Sequence, residues 1–457
     1  MNPSEKQIRI QDETSVINKV IGTDLRKALK YVTLEGAFAA VHIMLTGGAF
    51  LTGFALLVGA NDFEIGLLGA IPFLAQTAQL ISAYIVDHYG NRKAMTMRTL
   101  LVARQTWWLL LPLPFLHGGW RPAALLILFA ISNITLMMGA AGWTSWVADL
   151  VPARIRGRYF GFRSGAVAVA TIIAILAGGA ILDYFRSINY EGTGFAIIFG
   201  IACVFALAAL YSMKKMPDSQ QLKSGHGITW DRLLDPLRDK RFRHLLMIFF
   251  FWNFSLGICA AFFAAHMLTF LKMNFMLVSL YSTVALITTI LLNKQWGVII
   301  DRFGCKPVIV FCAFGLSVVP AVWLIPRPDF LWILFFEAIY AGTLWTGFNL
   351  AAFNIPIATS PQKNRTIYLA MYAVIPGIGY FLSSLLGGIL AENWKDISWQ
   401  WGHQTIINYH ILFIISSVLR FLAAFAAIGF REPGERFDDM VLYMGEQVTK
   451  RININWR

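Results

Sequence analysis

From about residue 29 onward the chain alternates long apolar runs with short polar stretches rich in bases. A helix needs about 20 mainly apolar residues to cross a bilayer, because lipid offers backbone groups no hydrogen-bond partners. Twelve segments qualify, at 29–59, 63–86, 95–116, 122–147, 165–184, 194–213, 244–269, 274–300, 306–326, 329–355, 366–390 and 405–430, here spans 1–12. The runs are continuous, without the period-two alternation of a transmembrane barrel. They predict an all-α integral membrane protein of twelve transmembrane helices. The stretch before span 1 carries acids as well as bases, so it is not read as a cleavable signal peptide.

Composition narrows the class. Of 457 residues, 57% are hydrophobic and only 14% charged, about half the charge of a soluble chain. That excludes a soluble multidomain enzyme, a disordered basic protein and a disulfide scaffold. Cys203, Cys259, Cys305 and Cys312 lie in or beside apolar runs without paired metal spacing. The net charge of +13 is scattered through short loops, which gives nucleic acid no continuous surface. Its distribution sets topology instead. Thirty of the 38 Lys and Arg fall in residues 1–30, 87–98, 154–163, 214–243, 302–306, 363–365 and 431–457, against five in the alternate loops. With the acids at the adjoining span ends counted, Asp149 and Asp301 on the first side, the first side nets +14 and the second −2, which predicts cytoplasmic termini; the expected location is the inner (plasma) membrane.

The longest polar stretch between spans divides the chain. It predicts a cytoplasmic N-terminal segment (1–28), a six-helix bundle (29–213), a linker (214–243), a second six-helix bundle (244–430) and a cytoplasmic tail (431–457). The halves repeat. Asp87, Gly90, Arg92 and Lys93 follow span 2, and Gly297, Asp301, Arg302, Gly304 and Lys306 follow span 8, with both Asp and Gly pairs 214 residues apart. At an offset of 209, Pro152 matches Pro361, Gly178-Gly179 matches Gly387-Gly388, and Asp183 matches Glu392.

Six plus six spans, with Gly-x-x-x-Asp-Arg-x-Gly-x-Lys between spans 8 and 9 and a relative of it between spans 2 and 3, resemble the major facilitator superfamily over roughly residues 28–430. The first copy has Ala83 for the glycine and His88 for the basic residue. The resemblance implies two bundles that rock about a central cavity lined by spans 1, 4, 7 and 10. It also implies an inner gate at the repeated loops, with Asp149 accepting from Arg92 or Lys93. Gly297 would let two helices approach closely, and the glycine pairs of spans 5 and 11 read as packing and hinge devices. Drug–proton antiporters of the superfamily carry a proline in the span 5 motif and an arginine in span 4. Here Ile175 and Asn133 stand nearest those places.

Ionisable groups inside spans are expensive and point to function. Glu35 and His42 in span 1 are seven residues apart, so they share one helix face about 10 Å apart. The plain alternatives are a solvated acid at the helix start and a neutral histidine bonded to a facing span. Glu337 in span 10 is the strongest acid candidate. Burial makes it costly to hold charged, so it can load and release protons. Lys294 in span 8 either attracts an anionic solute or snorkels to the inner interface. Arg104 and Arg420 lie on spans expected at the periphery, where structural pairing or snorkelling is the expectation. Gln76, Trp143, Trp252, Asn253, Tyr340, Trp345, Asn349 and Tyr372 complete the candidate lining.

No phosphate-binding loop, metal constellation or nucleophile elbow is present in the sequence. The reading is a secondary transporter without cofactor or metal. It moves a small organic solute, an anion among the candidates, by alternating access as a monomer, with protons as the leading coupling ion. A drug exporter or lipid flippase is the alternative within transport. A transporter-like sensor or assembly factor is the alternative outside it.

Overall fold

The computed structural model describes residues 23–79, 92–152, 155–218, 234–361, 365–402, 404–430 and 432. In the N-terminal half, α1 (Thr23–Leu45) and α2 (Gly48–Leu57) form span 1, and α3 (Asp62–Ala75) opens span 2. α4 (Arg92–Gln105), α5 (Arg121–Leu150), α6 (Arg156–Ser187) and α7 (Glu191–Lys215) lie in spans 3–6. The C-terminal half contains α8 (Lys240–Thr269), α9 (Phe275–Phe303), α10 (Cys305–Val322), α11 (Trp332–Thr359), α12 (Arg365–Asn393) and α13 (Asn408–Ile428).

Among the described residues, nine helical stretches are long and apolar enough to cross a membrane; spans 2, 3 and 10 fall short of that measure. In span 2, α3 ends three residues after Pro72, and residues 80–91 lie outside the described residues. In span 3, α4 gives way to 3-10 turns at Thr106–Leu110 and Leu113–Phe115, where Pro112 and Pro114 supply no N–H for helical bonds. Span 10 is the uninterrupted α11, whose apolar content is diluted by Glu337, Asn349 and Asn354. Span 12 begins later than the apolar run suggests. Residues 404–407 form β2 (Gln404–Ile407), paired antiparallel with β1 (Ser398–Trp401), and α13 starts at Asn408.

Local chemistry sets the helix ends. Asn61 and Glu64 make a reciprocal capping box on α3. Asp239 caps α8 and Asn274 caps α9. The motif glycine Gly304 separates α9 from α10 at φ 92°, a conformation that disfavours any side chain.

The sequence repeat is a packing repeat. α1 packs on α6 and α7, and its counterpart α8 packs on α12 and α13. Likewise α5 packs on α3 and α4, and α11 on α9 and α10. Two seams join the halves, α3 with α12 and α6 with α9.

One glycine of each pair, Gly179 and Gly388, sits in a seam, while Gly178 and Gly387 pack within their own halves. A Cβ on Gly66 of α3 would lie 2.6 Å from the Gly388 Cα, and one on Gly179 would lie 2.9 Å from the Phe275 carbonyl oxygen. Each seam ends in a carboxylate that caps the opposing helix. Asp183 of α6 accepts from the Phe275 and Met276 amides of α9, both at 2.8 Å. Glu392 of α12 accepts from the Asp62 amide of α3 at 3.1 Å. The Asp62 side chain in turn accepts from Asn408 and Tyr409. The residues matched at offset 209 thus do the same work in both seams. They lie at the end that loop charge assigns to the outside.

Candidate functional site

α11 carries Glu337 one and a half turns in, and it is only 4% exposed. Its Oε2 accepts from the Tyr281 hydroxyl of α9 at 2.8 Å and the Trp323 indole is a second donor beside the carboxyl, while Oε1 makes no hydrogen bond of good geometry. A buried carboxylate oxygen without a donor is costly. The carboxyl stands on the wall of a cavity of about 480 Å³ in the C-terminal half. Tyr281, Trp323, Trp345, Tyr380 and Arg420 share that wall, and the rest is mainly aliphatic.

Arg420 departs from the expectation of a peripheral, paired arginine. It is 2% exposed and reaches from α13 into the cavity wall. Its Nε donates to Ser416 Oγ at 3.1 Å, Nη1 to the Leu316 carbonyl at 3.3 Å and Nη2 to Cys259 Sγ at 3.7 Å. Ser416 is itself tied to the Ser255 carbonyl at 2.6 Å, which fixes the guanidinium plane. These partners are all neutral. The cavity therefore presents a carboxyl and a guanidinium that do not touch.

The N-terminal half holds a second buried charge cluster. Arg104 Nη2 lies 3.0 Å from Glu35 Oε1, with the two side chains 5% and 2% exposed. Arg163 of α6 approaches Glu35 Oε2 at 3.8 Å, lies across Gly36 and stacks over Trp143 at 4.9 Å. The solvated reading of Glu35 is thus replaced by a buried ion pair, and the pairing expected of Arg104 is found. Arg163 escaped the sequence reading because it was assigned to the loop before span 5, whereas α6 begins at Arg156. His42 is 5% exposed, with Nδ1 3.1 Å from the Ala202 carbonyl of α7. The Glu35–His42 face of α1 is therefore turned to the helices of its own half.

The other candidates divide. Trp345 lines the cavity, and Trp252 stacks on Phe348 at 4.6 Å behind it. Gln76 reaches the α12 seam at Gly377. Asn253 donates to the Phe249 carbonyl of its own helix, and Tyr372 to the Ala352 carbonyl. Tyr340 turns to the Gly315 carbonyl of α10. Lys294 and Asn349 are exposed. Another missed feature is a buried histidine pair, His266 Nε2 to His410 Nε2 at 3.2 Å. Its members are 144 residues apart, so no local spacing announces it.

At the inner motif, Arg92 Nη2 pairs with Asp149 at 2.8 Å, as expected, within the N-terminal half. Lys93 instead donates to the Met216 carbonyl at 2.6 Å and lies over Trp146. Asp87 and Gly90 lie outside the described residues. Asp301 and Arg302 are exposed, and the Lys306 amide donates to Glu432 at 2.7 Å. Gly297 makes no close approach, since an added Cβ would meet only Leu350 at 3.9 Å.

The sequence profile of the Major Facilitator Superfamily matches residues 36–290 and 245–439. A single-residue mutant of the nucleoside transporter NupG superposes with TM-score 0.69 at 16% identity, covering 88% of this chain and all of that one. The D-xylose-proton symporter gives TM-score 0.62 at 16% identity over 89% and 98% of the two chains. A class H tetracycline resistance protein of Pasteurella multocida is 26% identical over 161 residues, 35% of either chain. The alignment thus spans about a third of that relative. With the profile matching most of the chain, the protein belongs to the major facilitator superfamily and is a membrane transporter, not an enzyme.

Proposed function

We propose that the protein is a proton-coupled secondary transporter that moves a small organic solute by alternating access, with Glu337 as the coupling acid. Twelve crossings, cytoplasmic termini and an inner (plasma) membrane location belong to the same reading, as does action as a monomer. The observation that carries it is the Glu337 Oε1, buried without a hydrogen bond on the wall of a strongly aromatic cavity in the C-terminal half. A carboxyl on that wall would meet water from the two sides in turn as the halves rock, as coupling requires.

Thermal stabilisation of the purified protein by sugars, organic acids, peptides, drugs and lysolipids identifies a solute. In proteoliposomes, Glu337→Gln is then expected to abolish accumulation driven by a pH gradient while leaving solute exchange intact. Unchanged pH-driven accumulation in that variant would remove Glu337 from the coupling role. Export of an amphipathic drug is a second reading, favoured by the partial similarity to the tetracycline resistance protein. It predicts accumulation in inside-out vesicles energised by an acidic lumen.

A further inference from the structure

Arg420 and Glu337 together say more about the solute. Arg420 is a buried guanidinium held by a hydroxyl, a carbonyl and a thiol, with no carboxylate among its contacts. A guanidinium has five N–H groups, so one on each Nη remains open to a ligand. Glu337 is on the same cavity wall with one oxygen open. Most of the remaining wall is apolar or aromatic, with Phe263, Trp323 and Trp345 among the rings.

We propose that this cavity binds an apolar organic monoanion through Arg420, and that Glu337 is its proton-switched competitor. The inference rests on the proton-coupled reading of the same site. With Glu337 ionised, the cavity carries one charge of each sign, Arg420 is attracted to the carboxylate, and an entering anion is repelled by it. With Glu337 protonated, Arg420 is the sole charge and an anionic group gives it the charge-assisted partner it lacks. One proton therefore binds with one anion, and the loaded cavity carries no net charge through the membrane. The aromatic and aliphatic wall selects an apolar body, and a cavity of about 480 Å³ has room for fused rings.

The groups packed around Glu337 leave that switch to it. Tyr281 of α9 donates to it, Tyr380 of α12 and Arg420 of α13 share the wall, and Tyr340 of its own helix is turned to α10. From α8, His266 stands beyond Trp323, with ring centroids 6.1 Å apart. His410 Nδ1 accepts from the Ile407 amide, so its Nε2–H points to His266 Nε2, which leaves the His266 Nδ1–H buried without a partner on the far side of Trp323.

The test is calorimetric titration of the detergent-solubilised full chain with naphthalenesulfonate, an anion at every working pH, beside naphthamide and naphthylmethylammonium. For the native protein, sulfonate is expected to bind more tightly in acid, its affinity falling by up to about tenfold per pH unit as Glu337 ionises. One proton should be taken up per sulfonate, read from buffers of different ionisation enthalpy. Glu337→Gln is expected to bind sulfonate at the tight level at every pH, without proton uptake. Arg420→Gln should lose at least about thirtyfold in affinity, the usual scale for removing one partner of a buried charge pair. Arg420→Lys should keep the preference for sulfonate over the amide.

Equal binding of sulfonate and amide, tighter binding of the ammonium probe, or pH-dependent sulfonate binding that persists in Glu337→Gln would each overturn the proposal. The Glu337→Gln arm stands even if Arg420→Gln fails to fold. No gradient enters the titration, so its failure leaves the accumulation assay free to succeed. Conversely, a failed accumulation assay with sulfonate still bound by Arg420 would remove coupling alone.

Discussion

Glu35 and Arg104 are joined across 69 residues of sequence in a site almost closed to solvent. Removing one member of such a pair strands the other charge, at a cost of about 3–5 kcal/mol, whereas removing both costs far less. Glu35→Gln is therefore expected to lower the midpoint of thermal unfolding sharply, and Glu35→Gln with Arg104→Gln to recover much of the loss. A double variant as unstable as the single one would contradict the pairing. The sequence exposed both residues as charges inside apolar runs and put Glu35 and His42 on one face. It did not show which way that face turns, because helical spacing fixes relative azimuth and not the azimuth against neighbours. Tertiary packing settles that point, setting His42 against the Ala202 carbonyl. Arg420 illustrates the same limit from the other side. Its place on a span expected at the edge concealed a side chain long enough to reach the cavity.

At the level of elements, the two seams between halves are built alike. A helix ends in a carboxylate, Asp183 or Glu392, and that carboxylate satisfies free amides at the start of the opposing helix. Caps of this kind contribute about 0.5–2 kcal/mol each, a scale suited to an interface that must open. Asp183→Ala combined with Glu392→Ala should loosen both seams. A Ser384→Cys reporter, whose native hydroxyl bonds the Gly66 carbonyl across the α3–α12 seam, should then react faster with a membrane-impermeant thiol reagent. Unchanged labelling would show that the caps do not hold the seams closed. The repeat at offset 209 made these positions legible as a pair, because the same residue types recur in the same order. Their partners were not legible, since a repeat says nothing about which half a residue faces. The breaks in spans 2 and 3 were missed because prolines inside an apolar run leave its hydropathy high while removing backbone donors.

For the molecule as a whole, the net charge of +13 lies mainly in the loops that the proposed topology turns to the cytoplasm, and it is no guide to the solute. The solute is better sought in the small uncompensated remainder within the spans. In the N-terminal half, Glu35 pairs directly with Arg104 and lies near Arg163, although Glu35 Oε2 and Arg104 Nε and Nη1 stay buried without hydrogen bonds. In the C-terminal half, Glu337 and Arg420 share a cavity without touching, which is where the proposal puts a proton and an anion. The resemblance in the loop motifs made the two-bundle architecture legible. The asymmetry between halves appears only when side chains from distant spans meet. The most direct measurement is proton movement in proteoliposomes with the membrane potential clamped and no initial pH gradient. An inward gradient of naphthalenesulfonate should acidify the lumen, one proton per anion, in the native protein but not in Glu337→Gln. Entry of the sulfonate without protons, or equal acidification by the variant, would contradict the account.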